Sequence, residues 1–248
     1  MTLNAIPSAA LDFALEVERQ CIALLHAAAA QPDQQHEPSL GGKLLYAGEL
    51  TSQGRALLVA ANISGSASLC ASADPAAQKQ AIRDGVIDFL VNSLDEAVRI
   101  LKNEIRKREA VAVCVAIAPE SVEREMRERG VQPDLLPPAE IPPAQTNQAL
   151  VTWSVASAPA LWLPRLDAIA LDCLKAEDGA ARRWLRLAPR YLGRMTQNFR
   201  VLHCPQEIVD EFVSRSKIAV DRGEITVEVE ITVDGDGIAI SRPANPAV

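Results

Sequence analysis

No two cysteines of this chain stand in a C-x-x-C spacing. The five present, Cys21, Cys70, Cys114, Cys173 and Cys204, are scattered over 248 residues. A zinc ribbon or a thioredoxin-type redox site needs such a pair, so neither is expected. A basic surplus is missing too, since the formal net charge is -7. Nucleic-acid binders carry the opposite balance. The one basic cluster, residues 102–108 (KNEIRKR), has an acid interleaved and reads as a solvated helix face. No apolar window reaches the roughly 18 residues that a membrane-spanning helix requires. The start of the sequence lacks the basic residues, apolar run and small-residue cleavage site of a signal peptide. A soluble cytoplasmic protein is therefore expected. There is no internal repeat and no low-complexity tract. What is present is 48% hydrophobic residues, too many for a disordered chain and enough for one large domain or two small ones.

The pattern along the chain predicts alternating helices and strands. Residues 8–29 read as a helix, with Leu11, Leu15, Val17, Cys21, Ile22 and Leu25 at helical spacing. A polar segment, 31–39, breaks it at Pro32 and Pro38. Residues 43–48 (KLLYAG) read as a buried strand, 54–63 as a helix and 66–72 as a weak strand. Asp74-Pro75 is a cap followed by proline at the first helical position, and Gly85 ends that helix. Residues 86–91 are the next strand, and Ser93 with Glu96 forms a capping box for a helix over 94–109. Residues 111–117 (VAVCVAI) are continuously apolar, as in a parallel sheet covered on both faces. A charged helix over 119–129 stops at Gly130.

Prolines 133, 137, 138, 142 and 143 mark a linker or an extended wrap over the surface. Beyond it, strands are expected over 150–157 and 199–204, and helices over 166–173, 180–194 and 205–214. Residues 224–233 alternate strictly and predict a strand that turns at Asp234-Gly235 into a hairpin.

The order Gly42-Lys43, Ala47-Gly48, Leu50, Gly54, Ala56, Ala60-Ala61 and Gly65 resembles the central domain of urocanase (urocanate hydratase). In that family a G-K strand runs into a glycine-rich turn and then a helix. Ile87-Asp88, the stretch Leu94-Asp95-Glu96-Ala97, and Arg129-Gly130-Val131-Gln132-Pro133-Asp134 resemble later stretches of the same family in the same order. Arg183-Trp184-Leu185 and Phe199-Arg200-Val201 are similar to its R-W-L helix and A-R-I strand. The resemblance implies a Rossmann-like domain that holds NAD as an electrophile for adding water to urocanate, in histidine catabolism. The cofactor positions it implies are Gly48, Glu49, Ser52, Gly54, Ser72 and Asp74.

Those positions depart from the family's pattern. A pyrophosphate needs glycines and free amides at a helix N-terminus. Here the turn carries Glu49, Thr51, Ser52, Gln53 and Arg55, with only Gly48 and Gly54 left. At about 4 Å and an effective dielectric near 20, the Glu49 carboxylate would repel each phosphate charge by on the order of 4 kcal/mol, which Arg55 would partly offset. Ser72 stands where an acidic residue binds the ribose, and Asp74 is the substitute, though its local role is a helix cap. After Asp134, Leu135-Leu136 and prolines replace a polar loop of the family's active site, and the segment bearing its catalytic cysteine has no counterpart.

Other candidate chemistry is sparse. His203 and Cys204 are neighbours, but adjacent strand residues point to opposite faces, so both read as structural. Ser64, Ser66 and Ser68 lie in no G-x-S-x-G elbow. Residues 234–237 (DGDG) lack the terminal Glu and flanking helices of a calcium loop and read as a turn, so no metal site is expected. Trp153 and Trp162 read as core.

The expected fold is α/β: a Rossmann-like parallel sheet flanked by helices, with an N-terminal helix and a smaller α+β C-terminal part. The expected divisions are 1–40, 41–136, 137–147 and 148–248. Three functional readings stay open. The first is a binding or assembly subunit without NAD or hydratase activity, with a homodimer or a full-length urocanase-type partner. The second is an active hydro-lyase on an imidazole or other small acid. The third is a sensor of a small anion or nucleotide. Apolar stripes on the first helix and the last hairpin (Ile225, Val227, Val229, Ile231, Val233) make one or the other the expected dimer interface, the alternative being that both pack on the sheet of their own chain.

Overall fold

The computed structural model describes residues 6–28, 38–137 and 148–241. They fall into two compact units, one built on Glu16–Pro142 with Arg190–Gly193 and the other on the remaining segments. No helix of the described residues is long and apolar enough to cross a membrane.

Helix α1 (Ser8–Ala28) contributes its second half to the first unit. There follow β1 (Leu44–Glu49), α2 (Ser52–Ser64), β2 (Ala67–Ala71), α3 (Pro75–Arg83), β3 (Phe89–Val91), α4 (Leu94–Lys107), β4 (Val111–Val115) and α5 (Pro119–Glu128). The four strands form a parallel sheet in the order β1-β2-β4-β3. Every residue of β2 and β4 is buried, which is why these strands are continuously apolar rather than alternating. On one face Leu69 and Val113 pack with Leu94, Leu101, Val122 and Met126 from α4 and α5. Helix α2 covers β1 and β2 with ten buried residues that include Leu57, Leu58 and Ala61.

Local capping chemistry sets the helix starts. Asp74 Oδ1 accepts from the Ala76 amide at 2.8 Å, with Pro75 at the first helical position. Ser93 Oγ accepts from the Glu96 amide at 3.3 Å, and Glu96 Oε2 accepts from the Asn92 amide at 3.1 Å. Two of the boundaries that differ from expectation have a visible cause. The expected strand 86–91 shrinks to Phe89–Val91, because Asp88 exchanges both its amide and its carboxylate with the backbone of Ala112, at 2.8 Å each, and so turns the chain into register. Helix α4 ends at Lys107, two residues early, where Arg108 takes a left-handed φ of 62°.

The outer edge of β1 is not bare. Leu135 bridges to Leu45, its amide donating to the Leu44 carbonyl at 3.0 Å and its carbonyl accepting from Tyr46 at 3.1 Å. Asp134 accepts from the Leu44 amide at 2.8 Å and pairs with Lys43 at 3.6 Å. The start of the proline-rich segment thus wraps onto the sheet, while residues 138–147 of the expected linker lie outside the described residues.

The second unit contains β5 (Gln148–Val155), α6 (Pro159–Cys173), most of α7 (Gly179–Leu192), β6 (Phe199–Pro205), α8 (Gln206–Asp221), β7 (Val229–Val233) and β8 (Asp236–Ile240). Its sheet is antiparallel throughout, in the order β6-β5-β7-β8. Trp153 is wholly buried and its ring lies 4.9 Å from that of Phe212, as the core reading expected. Helices α6 and α8 are longer than expected, reaching back to Pro159 and on to Asp221. The expected strand 224–233 is only Val229–Val233. The amides of Glu224 and Ile225 are spent on the Ala219 carbonyl at the end of α8, at 2.9 and 3.3 Å, and are lost to a ladder. Asp234 and Gly235, both at positive φ, close the β7–β8 hairpin as expected. Ile225, Val229 and Ile231 are buried within the single chain.

Candidate functional site

In open parallel α/β sheets, ligands bind beyond the carboxyl ends of the strands. Here that edge is formed by the ends of β1 and β2 and the start of α2. A register shift between Tyr46 and Gly48 bends the end of β1 against β2, and Gly48 takes a φ of 75° that favours glycine. Glu49 follows, with its side chain exposed. The chain then turns sharply, the Thr51 amide donating to the Glu49 carbonyl at 2.9 Å. Thr51 caps α2, its Oγ1 accepting from the Gly54 amide at 3.1 Å.

Gly54 is required for packing. A Cβ there would stand 2.0 Å from the Glu49 carbonyl oxygen. The helix start and the strand end approach so closely that no side chain fits, whether or not a ligand is bound.

The six expected cofactor positions sit on this one edge but serve different ends. Gly48, Glu49, Ser52 and Gly54 belong to the β1–α2 turn. Ser72 is buried, its Oγ accepting from the Asp74 amide at 3.2 Å and its carbonyl from Gln78 Nε2 at 2.6 Å. With Asp74 it builds the cap of α3. Arg55, expected to offset Glu49, is turned away: its guanidinium is paired with Asp84 at the end of α3.

A cleft of about 160 Å³ opens beside the turn, lined by Gln20, Glu49, Thr51, Gln53, Leu57 and neighbouring backbone. Gln20 was not among the expected site residues. It lies on the buried stripe of α1 with Val17, Cys21 and Leu24, where a polar residue among apolar ones is a readable signal. It is 2% exposed. Its Nε2 donates to Glu16 Oε1 at 2.6 Å, and its Oε1 has no partner among the described residues.

A larger groove of about 770 Å³ lies across β1 from this cleft, walled by Tyr46, Glu123, Met126, Val131 and Leu136. Tyr46 donates to Glu123 at 3.2 Å, and burial with the Glu123 carboxylate raises its phenol well above the usual range, so Tyr46 stays protonated.

The remaining reactive side chains are structural. Cys70 and Cys114 face each other in register on β2 and β4 and are both buried. Their mutual hydrogen bond, followed by burial, raises the Cys70 thiol. His203 and Cys204 lie opposite Leu150 and Ala149 in the β5–β6 ladder, and Cys204 is buried. Among the described residues no group of three His, Cys, Asp or Glu side chains could hold a metal ion.

The second unit holds a buried ion pair that the sequence reading missed. Asp167 accepts from Arg200 Nε at 3.0 Å and from Trp153 Nε1 at 3.1 Å. Arg200 also donates to the Thr196 and Phe199 carbonyls at 2.9 Å each. Burial pushes the Asp167 carboxyl up and Arg200 partly pulls it back. Each group is satisfied by protein, which is the signature of a structural network. Close by, Trp184 Nε1 donates to the Val201 carbonyl at 2.8 Å, joining the R-W-L and F-R-V segments.

The stretches that carry the family resemblance meet one another in space. Lys43 pairs with Asp134, Asp95 pairs with Arg129, and Asp88 fixes the start of β4. Residues 23–138, somewhat under half of the chain, match the family model of the urocanase Rossmann-like domain.

Proposed function

Starting from a urocanase-type Rossmann-like domain at residues 23–138, we propose that this chain is a small-molecule-binding subunit that neither holds NAD nor hydrates urocanate. The observation that carries this is the charge arrangement at the β1–α2 turn. Glu49 is exposed at the end of β1, while Arg55, the cation of this turn, is committed to Asp84. A pyrophosphate placed on the first amides of α2 would meet a carboxylate with no counter-charge.

The residues present do not fit a bound dinucleotide in other respects. Ser72 and Asp74 are engaged in capping α3, so no carboxylate is dedicated to a ribose. Leu135 is used as an edge bridge to β1, and exposed Leu136 walls an apolar groove where the family has a polar loop. Calorimetric titration with NAD is expected to show no binding at sub-millimolar concentration, and urocanate absorbance is expected to stay constant with or without NAD. A micromolar dissociation constant, or enzyme-dependent loss of urocanate, overturns the proposal.

A further inference from the structure

We propose that the cleft beside the start of α2 binds a small zwitterion, a compact protonated amine that carries a carboxylate. The inference rests on the reading above, that the same turn does not hold a dinucleotide.

The first observation is Gln20. Its amide orientation is fixed, because a carboxylate only accepts and Glu16 must therefore face the nitrogen. The oxygen is left as a buried acceptor with no partner. Such an atom is costly to leave unpaired and calls for a donor. Glu49, on the same cleft wall, adds a second acceptor with a full negative charge. No cationic side chain lines the cleft, since Arg55 is bound to Asp84. The group that satisfies Gln20 and Glu49 together is an ammonium or a similar cationic donor.

The second observation is the start of α2, a helix of 13 residues. Its first amides point out along the helix axis and favour a negative group. Thr51 consumes the Gly54 amide, and Gln53, one residue before it, lines the cleft, so its amide is the one offered to the ligand. A carboxylate fits this end. The size limit comes from the volume: about 160 Å³ holds a ligand of a few heavy atoms and excludes a nucleotide. Acceptors at one end and helix amides at the other match an ammonium and a carboxylate on one small skeleton, as in an α-amino acid. A polyphosphate is repelled by Glu49, and a simple monocarboxylate leaves Gln20 unsatisfied.

The experiment titrates the full chain with three probes of similar size: glycine for the zwitterion, ethanolamine for the amine alone and acetate for the anion alone. Thermal shift and calorimetry read the binding. Glycine is expected to bind saturably, ethanolamine more weakly and acetate not at all. Gln20→Leu is expected to raise the melting temperature of the free protein, because it removes an unpaired buried acceptor. It should also weaken glycine binding by roughly tenfold or more. Glu49→Gln changes an exposed side chain, so it should keep the fold and weaken binding by about tenfold. Acetate binding as tightly as glycine, saturable binding by none of the three, or glycine affinity unchanged in Glu49→Gln each overturns the proposal. An NAD titration on the same sample separates the two claims. Tight NAD binding defeats the reading beneath this proposal, whereas silence from both NAD and glycine defeats the zwitterion site alone.

Discussion

Replacing Gly54 with alanine inserts one methyl group between a helix start and a strand end. Alanine is the better helix former by about 1 kcal/mol, so propensity alone predicts a stabilised protein. The geometry predicts the reverse. The new Cβ would lie 2.0 Å from the Glu49 carbonyl oxygen, which is rigid backbone. Relief requires the start of α2 to move off β1 by about 1 Å, and overpacking of this kind costs about 1–3 kcal/mol or more. The shift also strains the Thr51 cap on the Gly54 amide, which contributes a further ~1 kcal/mol. The net expectation is a loss of about 2 kcal/mol or more. Gly48→Ala is the control: its Cβ would meet nothing within 4 Å, so only the positive φ of 75° is penalised, by about 1–2 kcal/mol. Urea denaturation followed by circular dichroism, with no ligand present, ranks the two. Gly54→Ala as stable as the parent would refute the claim that this glycine is required by packing, and would return it to the role of clearing space for a phosphate.

Three further outcomes can be tested. Arg200→Met leaves the Asp167 carboxylate buried without its ion-pair partner, and should cost about 3–5 kcal/mol in denaturation at neutral pH. Burial places the folded-state Asp167 pKa above its ordinary 3.8, so its protonated form favours the fold; the cost of Arg200→Met should therefore fade as pH falls through that folded value. A cost that stays constant with pH would show that Asp167 is not the group left exposed to the loss. Light scattering at tens of micromolar protein is expected to give twice the 26.7 kDa monomer mass. Because Ile225, Val229 and Ile231 are buried within one chain, deleting residues 222–241 should unfold the antiparallel sheet and lose its circular dichroism. A folded monomer after that deletion would place the interface on the hairpin.

What could be read from sequence was what is decided locally. The caps at Asp74-Pro75 and Ser93–Glu96 use atoms within four residues, and the continuous apolar run of β4 reports burial on both faces without knowledge of its neighbours. Residues 224–228 misled because alternation cannot tell a strand from a turn whose amides are drawn to Ala219. The Asp167–Arg200 pair joins residues 33 apart, and nothing in the local pattern marks either as a partner of the other. Gln20 stood in view on an apolar stripe, yet its unpaired oxygen depends on how α1 meets the start of α2.

The shared and departing residues of the urocanase-type domain divide by role. Lys43 with Asp134, Asp95 with Arg129, and Asp88 with the Ala112 backbone tie distant stretches of the scaffold together. Each of these contacts joins parts of the scaffold, whatever the sheet binds. Several of the departures lie at the β1–α2 turn, and two of them serve the fold. Thr51 caps the helix that it precedes, and Arg55 anchors α2 to the end of α3 through Asp84. A site that had merely decayed would leave its polar groups pointing at solvent or at nothing. Here Thr51 and Arg55 have found partners inside the protein, and Gln20, whose Oε1 is a buried acceptor without a partner among the described residues, lines the same cleft as Glu49. Under the zwitterion proposal that polarity, opposite to a phosphate cradle, is what the turn offers a cationic donor.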